Sequence, residues 1–208
     1  MNKARLQLKV FLAVIANLTE MVLERRERAG RLQKMNMIIG VFFSELGNSL
    51  MRAFSESDPD LNTIELDLIV TGDWTEADFA RVHDRLKGYT CNIAPKLMDL
   101  GCLSKLLAEK RELLIRLMEN PMLHEHESFT DLLRAVFHLA EEFDYRDDLN
   151  SLPETDRAHL VGDAKRAYHL LVQRWLDYMR FLKDEYPYLF ALAMRTNPFD
   201  REASVIVT

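Results

Sequence analysis

The chain has 208 residues, 48% hydrophobic and 29% charged, with seven Gly, six Pro and a formal charge of −6. A chain of that length buries roughly 70% of its unfolded surface without staples, and so few helix breakers beside so much Leu, Glu and Arg favour helices. The acidic balance argues against general nucleic-acid affinity, which needs a basic face to displace counterions, although residues 25–34 provide a local basic stripe.

From Leu8 the positions Leu8, Phe11, Leu12, Ile15, Leu18 and Val22 recur at helical spacing, and the charged run Glu24 to Lys34 follows. "MNMIIGVFFSELGNSLMRAF" resumes the period with Met35, Ile39, Phe42, Leu46, Leu50 and Phe54. Without a proline before Pro59, residues 5–55 are expected as one long helix, or as two with a break near Gly30. Gly40 and Gly47 share a face and invite close approach by another helix.

"SESDPD" (55–60) is a turn, and residues 61–70 fit a strand or a helix equally. An isolated strand has nothing to pair with, so a helix is expected there. Asp73 or Thr75 caps the next helix, which carries Phe79, Val82, His83 and Leu86 and ends at Gly88. Residues 104–119 repeat in heptads, with Leu106 and Leu113, Leu107 and Leu114, flanked by Leu103 and Leu117. Ser128 is expected to cap a helix with the stripe Phe129, Leu132, Leu133, Val136, Phe137, Ala140 and Phe143. Ser151, Pro153 and Glu154 read as the start of another, which carries Leu160, Ala164, Ala167, Leu171, Trp175, Met179 and Leu182 up to Pro187. "YLFALAM" adds two turns and "TNPFD" stops them. The fold class is all-α, a bundle of about six or seven helices with a long N-terminal helix. Its parts are a hydrophobic and basic helix (1–34), a bundle domain (35–200) and a loose tail (201–208).

Residues 8–34 raise the question of a membrane. An anchor supplies about 20 apolar residues, whereas the uninterrupted run here is only Val10 to Ala16. Extension admits Lys9, Asn17, Thr19 and Glu20, with both ionisable groups near the ends, so insertion is marginal rather than excluded. Arg25, Arg26, Arg28, Arg31 and Lys34 form a cytoplasmic collar, which Lys3, Arg5 and Lys9 on the other flank weaken. A leader cleaved at Ala16 fits poorly with the charged helix that follows at once. A cytoplasmic protein, either anchored to the inner membrane by this helix or soluble, is expected.

Signals for chemistry are sparse. His138 has Glu142 four residues on, and His159 has Asp163 four residues on, a spacing that can supply half of a carboxylate-bridged metal site in a helical bundle. The Glu-x-x-His motif of di-iron bundles is absent, and solvated i,i+4 pairs are the commoner origin of such spacing. "LHEHES" (123–128) lacks the i,i+4 histidines of a zincin helix and reads as an acidic helix entry. Cys91 and Cys102 have neither CxxC spacing nor the density of a disulfide scaffold, so both are expected reduced and mostly buried. No phosphate loop, nucleophile elbow or Cys/His pair is present, and neither a cofactor nor a catalytic residue is expected. Trp74, Trp175, Tyr178, Tyr186, Tyr188 and Phe190 stand at spacings typical of core. In "RTNPFD", Arg195, Asn197 and Asp200 either dock back on the bundle or meet a partner.

The stretches "MNMIIGVFFSELG", "GDWTEADF", "ENPMLHEHESFTDLLRAVFHLAEE" and "YPYLFALAMRTNPFD" resemble a family of functionally uncharacterised prokaryotic helical proteins. The likeness runs from about residue 20 onward. It implies a domain of the kind that follows the pore helices of small ion channels, with residues 8–34 as a shortened membrane-to-cytoplasm helix. The chain departs from a channel in having no second spanning segment and no selectivity-filter motif, and no catalytic residue carries over. The first reading is therefore a protein acting by protein contact, tethered or not at its N-terminal helix, through the arginine collar and Tyr188, Phe190, Arg195 and Asn197. A metal-binding bundle or enzyme built on His138, Glu142, His159 and Asp163 is the alternative, and a self-associating structural protein the third.

Overall fold

The computed structural model describes residues 2–124 and 126–206, with side chains other than those of 2–14, 16, 29 and 124. The chain divides into two compact units, one up to Met37 and one from Ile38 onward.

Helix α1, Asn2–Phe42, runs through Gly30 without a break, and nothing lies within 4 Å of where a Gly30 Cβ would stand. A lone glycine in open space costs a helix only about 1 kcal/mol, too little to stop it. Ile15, Leu18, Met21, Val22, Leu23 and Leu32 are 42–59% exposed. The side chains of 8–14, on which much of the anchor reading rests, lie outside the described residues. Among those described, no helix is long and apolar enough to cross a membrane.

The second unit begins where the helix widens into a π-turn at Phe43–Gly47 before α2, Asn48–Ser55. The extra residue per turn lets neighbours face inward together: Phe42 with Phe43, Leu46 with Gly47 and Leu50 with Met51 are all buried. A Cβ on Gly40 would sit 2.6 Å from the Tyr178 hydroxyl, which gives that glycine the close-approach role expected of it. Gly47 differs, because its missing side chain makes room for the rings of Phe42 and Phe43 on its own segment.

Residues 61–70 form neither strand nor α-helix. They make two 3-10 turns, Leu61–Thr63 and Glu65–Leu68, interrupted at Ile64 with φ −134°. Leu61, Ile64 and Leu68 are buried and Leu66 is 82% exposed, as on one helical face, but the broken path also buries Val70, which a regular α-helix would place opposite Leu61. Helix α3, Glu76–Gly88, starts as expected at Thr75, whose backbone N–H donates to Asp78 in a capping box. The heptad segment is two helices, α4 (Leu100–Glu109) and α5 (Arg111–Met118), parted at Lys110. Lys110 pairs with Glu45 at 2.8 Å, and the break lets both halves follow one neighbour, burying Leu100, Leu103 and Leu107, then Leu114 and Leu117.

A single turn, α6 (Pro121–His124), leads to α7, Glu127–Asp144. The cap of α7 is His126 rather than Ser128: its Nδ1 accepts the Phe129 N–H at 3.2 Å, and Ser128 lies inside the first turn. Helix α8, Glu154–Glu185, starts without a side-chain cap, because Pro153 has extended ψ 149° and leaves Ser151 too far upstream to reach the first-turn amides. The packing of α7 on α8 is the spine of this unit, and every apolar stripe residue expected on α8 is buried. Pro187 opens α9, Pro187–Arg195, where the missing N–H costs nothing. The all-α fold with a long N-terminal helix stands as expected. Its finer segmentation comes from the break at Lys110 and the single turn at Pro121, and no strand occurs among the described residues.

Candidate functional site

The short connection from Asp144 to Glu154 brings the end of α7 beside the start of α8. Each helix carries an i,i+4 pair on its facing side, and the two pairs meet. His138 Nε2 lies 3.8 Å from Glu142 Oε1 and 3.5 Å from Asp163 Oδ2. His159 Nε2 lies 3.6 Å from Glu142 Oε2 and 3.4 Å from the same Asp163 Oδ2. His138, Glu142 and Asp163 each place a ligand atom within 4.8 Å of the others; His159 reaches both carboxylates but stands outside that mutual group.

The environment of the two acids differs. Glu142 is held by Arg146, whose Nη1 donates to Oε2 at 2.7 Å and also to the Glu142 carbonyl. That hydrogen bond and charge keep the Glu142 carboxyl below its ordinary range. Arg146 also grips Asp156 with both Nε (2.7 Å) and Nη2 (2.6 Å), which lowers Asp156 in turn. Asp163 is the buried member, its side chain only 6% exposed. Its Oδ2 has no hydrogen-bond partner, and its Oδ1 has Arg166 Nη1 at 3.7 Å. Such an oxygen is stranded unless something binds it. Arg146 went unnoticed in the sequence, although its i+4 spacing from Glu142 was the available signal.

The expected contact residues part company. Arg25, Arg26, Arg28, Arg31 and Lys34 are all exposed on α1, and Tyr188 is exposed on α9. Phe190 and Asn197 are buried. Asn197, 1% exposed, donates from Nδ2 to the Leu68 carbonyl at 2.8 Å and accepts the Phe199 N–H at 3.0 Å. Phe199 packs edge-on against Trp175 with ring centroids 5.1 Å apart. Arg195 donates to the Ala191 carbonyl and to that of Val205. "RTNPFD" therefore docks on its own bundle.

Of "LHEHES", the His124 side chain and Glu125 lie outside the described residues, and His126 is the α7 cap. Cys91 is buried, and burial with Asp58 nearby pushes its thiol up to about 12. Cys102, expected to be mostly buried, is exposed, because it sits on the outer side of α4 at the rim of an open groove of about 690 Å³. Neither cysteine is in a disulfide.

Residues 31–195 match the family described as "Uncharacterized protein MJ1433, C-terminal helical domain". The chain is 42% identical over 193 residues to the uncharacterized protein MJ1433 of Methanocaldococcus jannaschii, covering 93% of this chain and 77% of that relative. No solved structure matches.

Proposed function

Since the chain belongs to this family of helical domains, whose description assigns no chemistry, we propose from its surface that it acts by protein–protein contact through the N-terminal helix. The supporting observation is the exposed apolar stripe of α1. At 3.6 residues per turn, Ile15, Leu18, Val22 and Leu32 fall on one side, all exposed by about two-fifths to half. Arg25 lies in the same stripe, Arg26 and Arg28 border it, and Glu20, Glu24 and Glu27 occupy the opposite side.

That pattern selects among partners. An in-register parallel copy of the same helix would set Arg25 against Arg25 in the apolar seam, which is repulsive in a desolvated position. A partner helix that carries acidic groups beside an apolar stripe pairs with both features. Within the second unit, Tyr188 on α9 is an exposed aromatic and a separate candidate for contact.

The test places a photo-crosslinking residue at Leu18 of the full chain in its native cells, with Tyr145 as the comparison site. A discrete adduct at position 18, lost in the R25E/R26E/R28E variant and absent from position 145, is the expected result. Absence of an adduct overturns the reading. So does pelleting of the purified chain with anionic vesicles, which assigns the stripe to a lipid surface instead.

A further inference from the structure

We propose that His138, Glu142, Asp163 and His159 bind one divalent transition-metal ion of the zinc class between α7 and α8. The inference rests on the geometry of this cluster and is independent of the contact role of α1.

The first support is spacing. Ligand atoms about 2.0–2.2 Å from a tetrahedral ion stand roughly 3.3–3.6 Å from each other. His138 Nε2 stands 3.8 Å from Glu142 Oε1 and 3.5 Å from Asp163 Oδ2, and His159 Nε2 stands 3.4 Å from the same Asp163 oxygen, close to the edges of such a tetrahedron, while the 3.6 Å contact of His159 is with Glu142 Oε2, the oxygen that Arg146 holds. These separations are too long for hydrogen bonds, which close to about 2.7–3.2 Å. The imidazoles thus stop at the distance that leaves room for an ion.

The second support is the stranded oxygen. Asp163 Oδ2 is buried, unpartnered and approached by both Nε2 atoms at nearly equal distance. An ion there supplies the interaction this oxygen lacks, and two carboxylates balance its double charge. The third is the outer frame. Arg146 fixes one oxygen of Glu142 and leaves Oε1 turned toward His138, in the manner of groups that orient metal ligands.

Donor type narrows the ion. Two imidazoles with two carboxylates suit Zn(II) and its borderline neighbours, whereas calcium and magnesium sites are built from oxygen alone. His138, Glu142 and Asp163 form the close group. His159, whose side chain is 54% exposed, completes the shell by turning about its own side-chain bonds.

The experiment titrates Zn(II), and separately Co(II), into the full chain after chelator treatment, followed by calorimetry and by the visible spectrum of Co(II). One tight site per chain with tetrahedral Co(II) absorption is expected. H138Q, a half-exposed position that tolerates substitution, should weaken Zn(II) at least about 100-fold, D163N likewise, and H159Q less. Circular dichroism confirms that each variant is folded, and H138Q carries the test if D163N is not. Absence of binding at millimolar Zn(II), or affinity unmoved by H138Q, refutes the site. In the latter case the ion sits on other surface histidines, and the cluster is an ion-pair network only.

Discussion

Asn197 offers the sharpest check on how the end of the chain is held. In Asn197→Ala, the Leu68 carbonyl loses its donor and the Phe199 N–H its acceptor, both in a place where the side chain is 1% exposed. A buried polar group left unpaired costs about 1–3 kcal/mol, so two give about 2–4 kcal/mol after partial relaxation. With a urea slope near 2 kcal/mol/M for a domain of this size, the midpoint should fall by about 1–2 M. Asn197→Asp separates this account from a simple packing loss. It keeps the shape and the acceptor for Phe199, yet sets a carboxylate against the Leu68 carbonyl, and should destabilise at least as much as alanine. Urea unfolding followed by tryptophan fluorescence reads both, since Trp175, one of the two tryptophans, packs on Phe199. A midpoint shift below about 0.3 M for either variant would refute the docking argument.

Tyr168 should respond in the opposite direction. Its side chain is fully buried and its hydroxyl has no partner, so Tyr168→Phe should stabilise by about 1 kcal/mol, raising the urea midpoint by about 0.5 M; a lowered midpoint contradicts the reading. His126 should make stability depend on pH. Burial first, and the Arg174 charge second, hold its pKa below the ordinary 6.5, and Nδ1 must stay unprotonated to accept the Phe129 N–H. The folded state therefore binds fewer protons than the unfolded one. Its contribution is complete above about 6.5 and is lost as pH falls through the lowered folded value. The difference in stability between wild type and His126→Asn, measured by urea unfolding across that range, should shrink toward acid; a pH-independent difference refutes it.

What the residues disclosed depended on how local the deciding interaction was. The α8 stripe, the Thr75 cap and the α9 start at Pro187 rest on neighbours within a few positions, and the pattern was plain. Residues 61–70 misled because their path is set by Asn197 reaching Leu68 from 129 positions away, which no periodicity records. The heptads of 104–119 hid the break at Lys110, whose partner Glu45 lies 65 positions upstream. The cap of α7 was misplaced because histidine is an uncommon cap residue and a serine stood nearby. For the four-residue cluster, each i,i+4 half was visible, but the antiparallel meeting of α7 and α8 that joins the halves was not.

The length of the Asn197–Leu68 connection also bears on the order of events in folding. Closing a loop of 129 residues carries a larger entropy cost than any turn in the chain, whereas α7 and α8 are joined by a connection of only nine residues, 145–153. Local contacts form first when loop entropy governs the barrier, so the α7–α8 hairpin belongs to the nucleus and the tail latches late. Loss of the latch then accelerates unfolding while leaving the folding rate almost untouched. Asn197 thus acts on the lifetime of the native state: a side chain that joins last guards against its undoing.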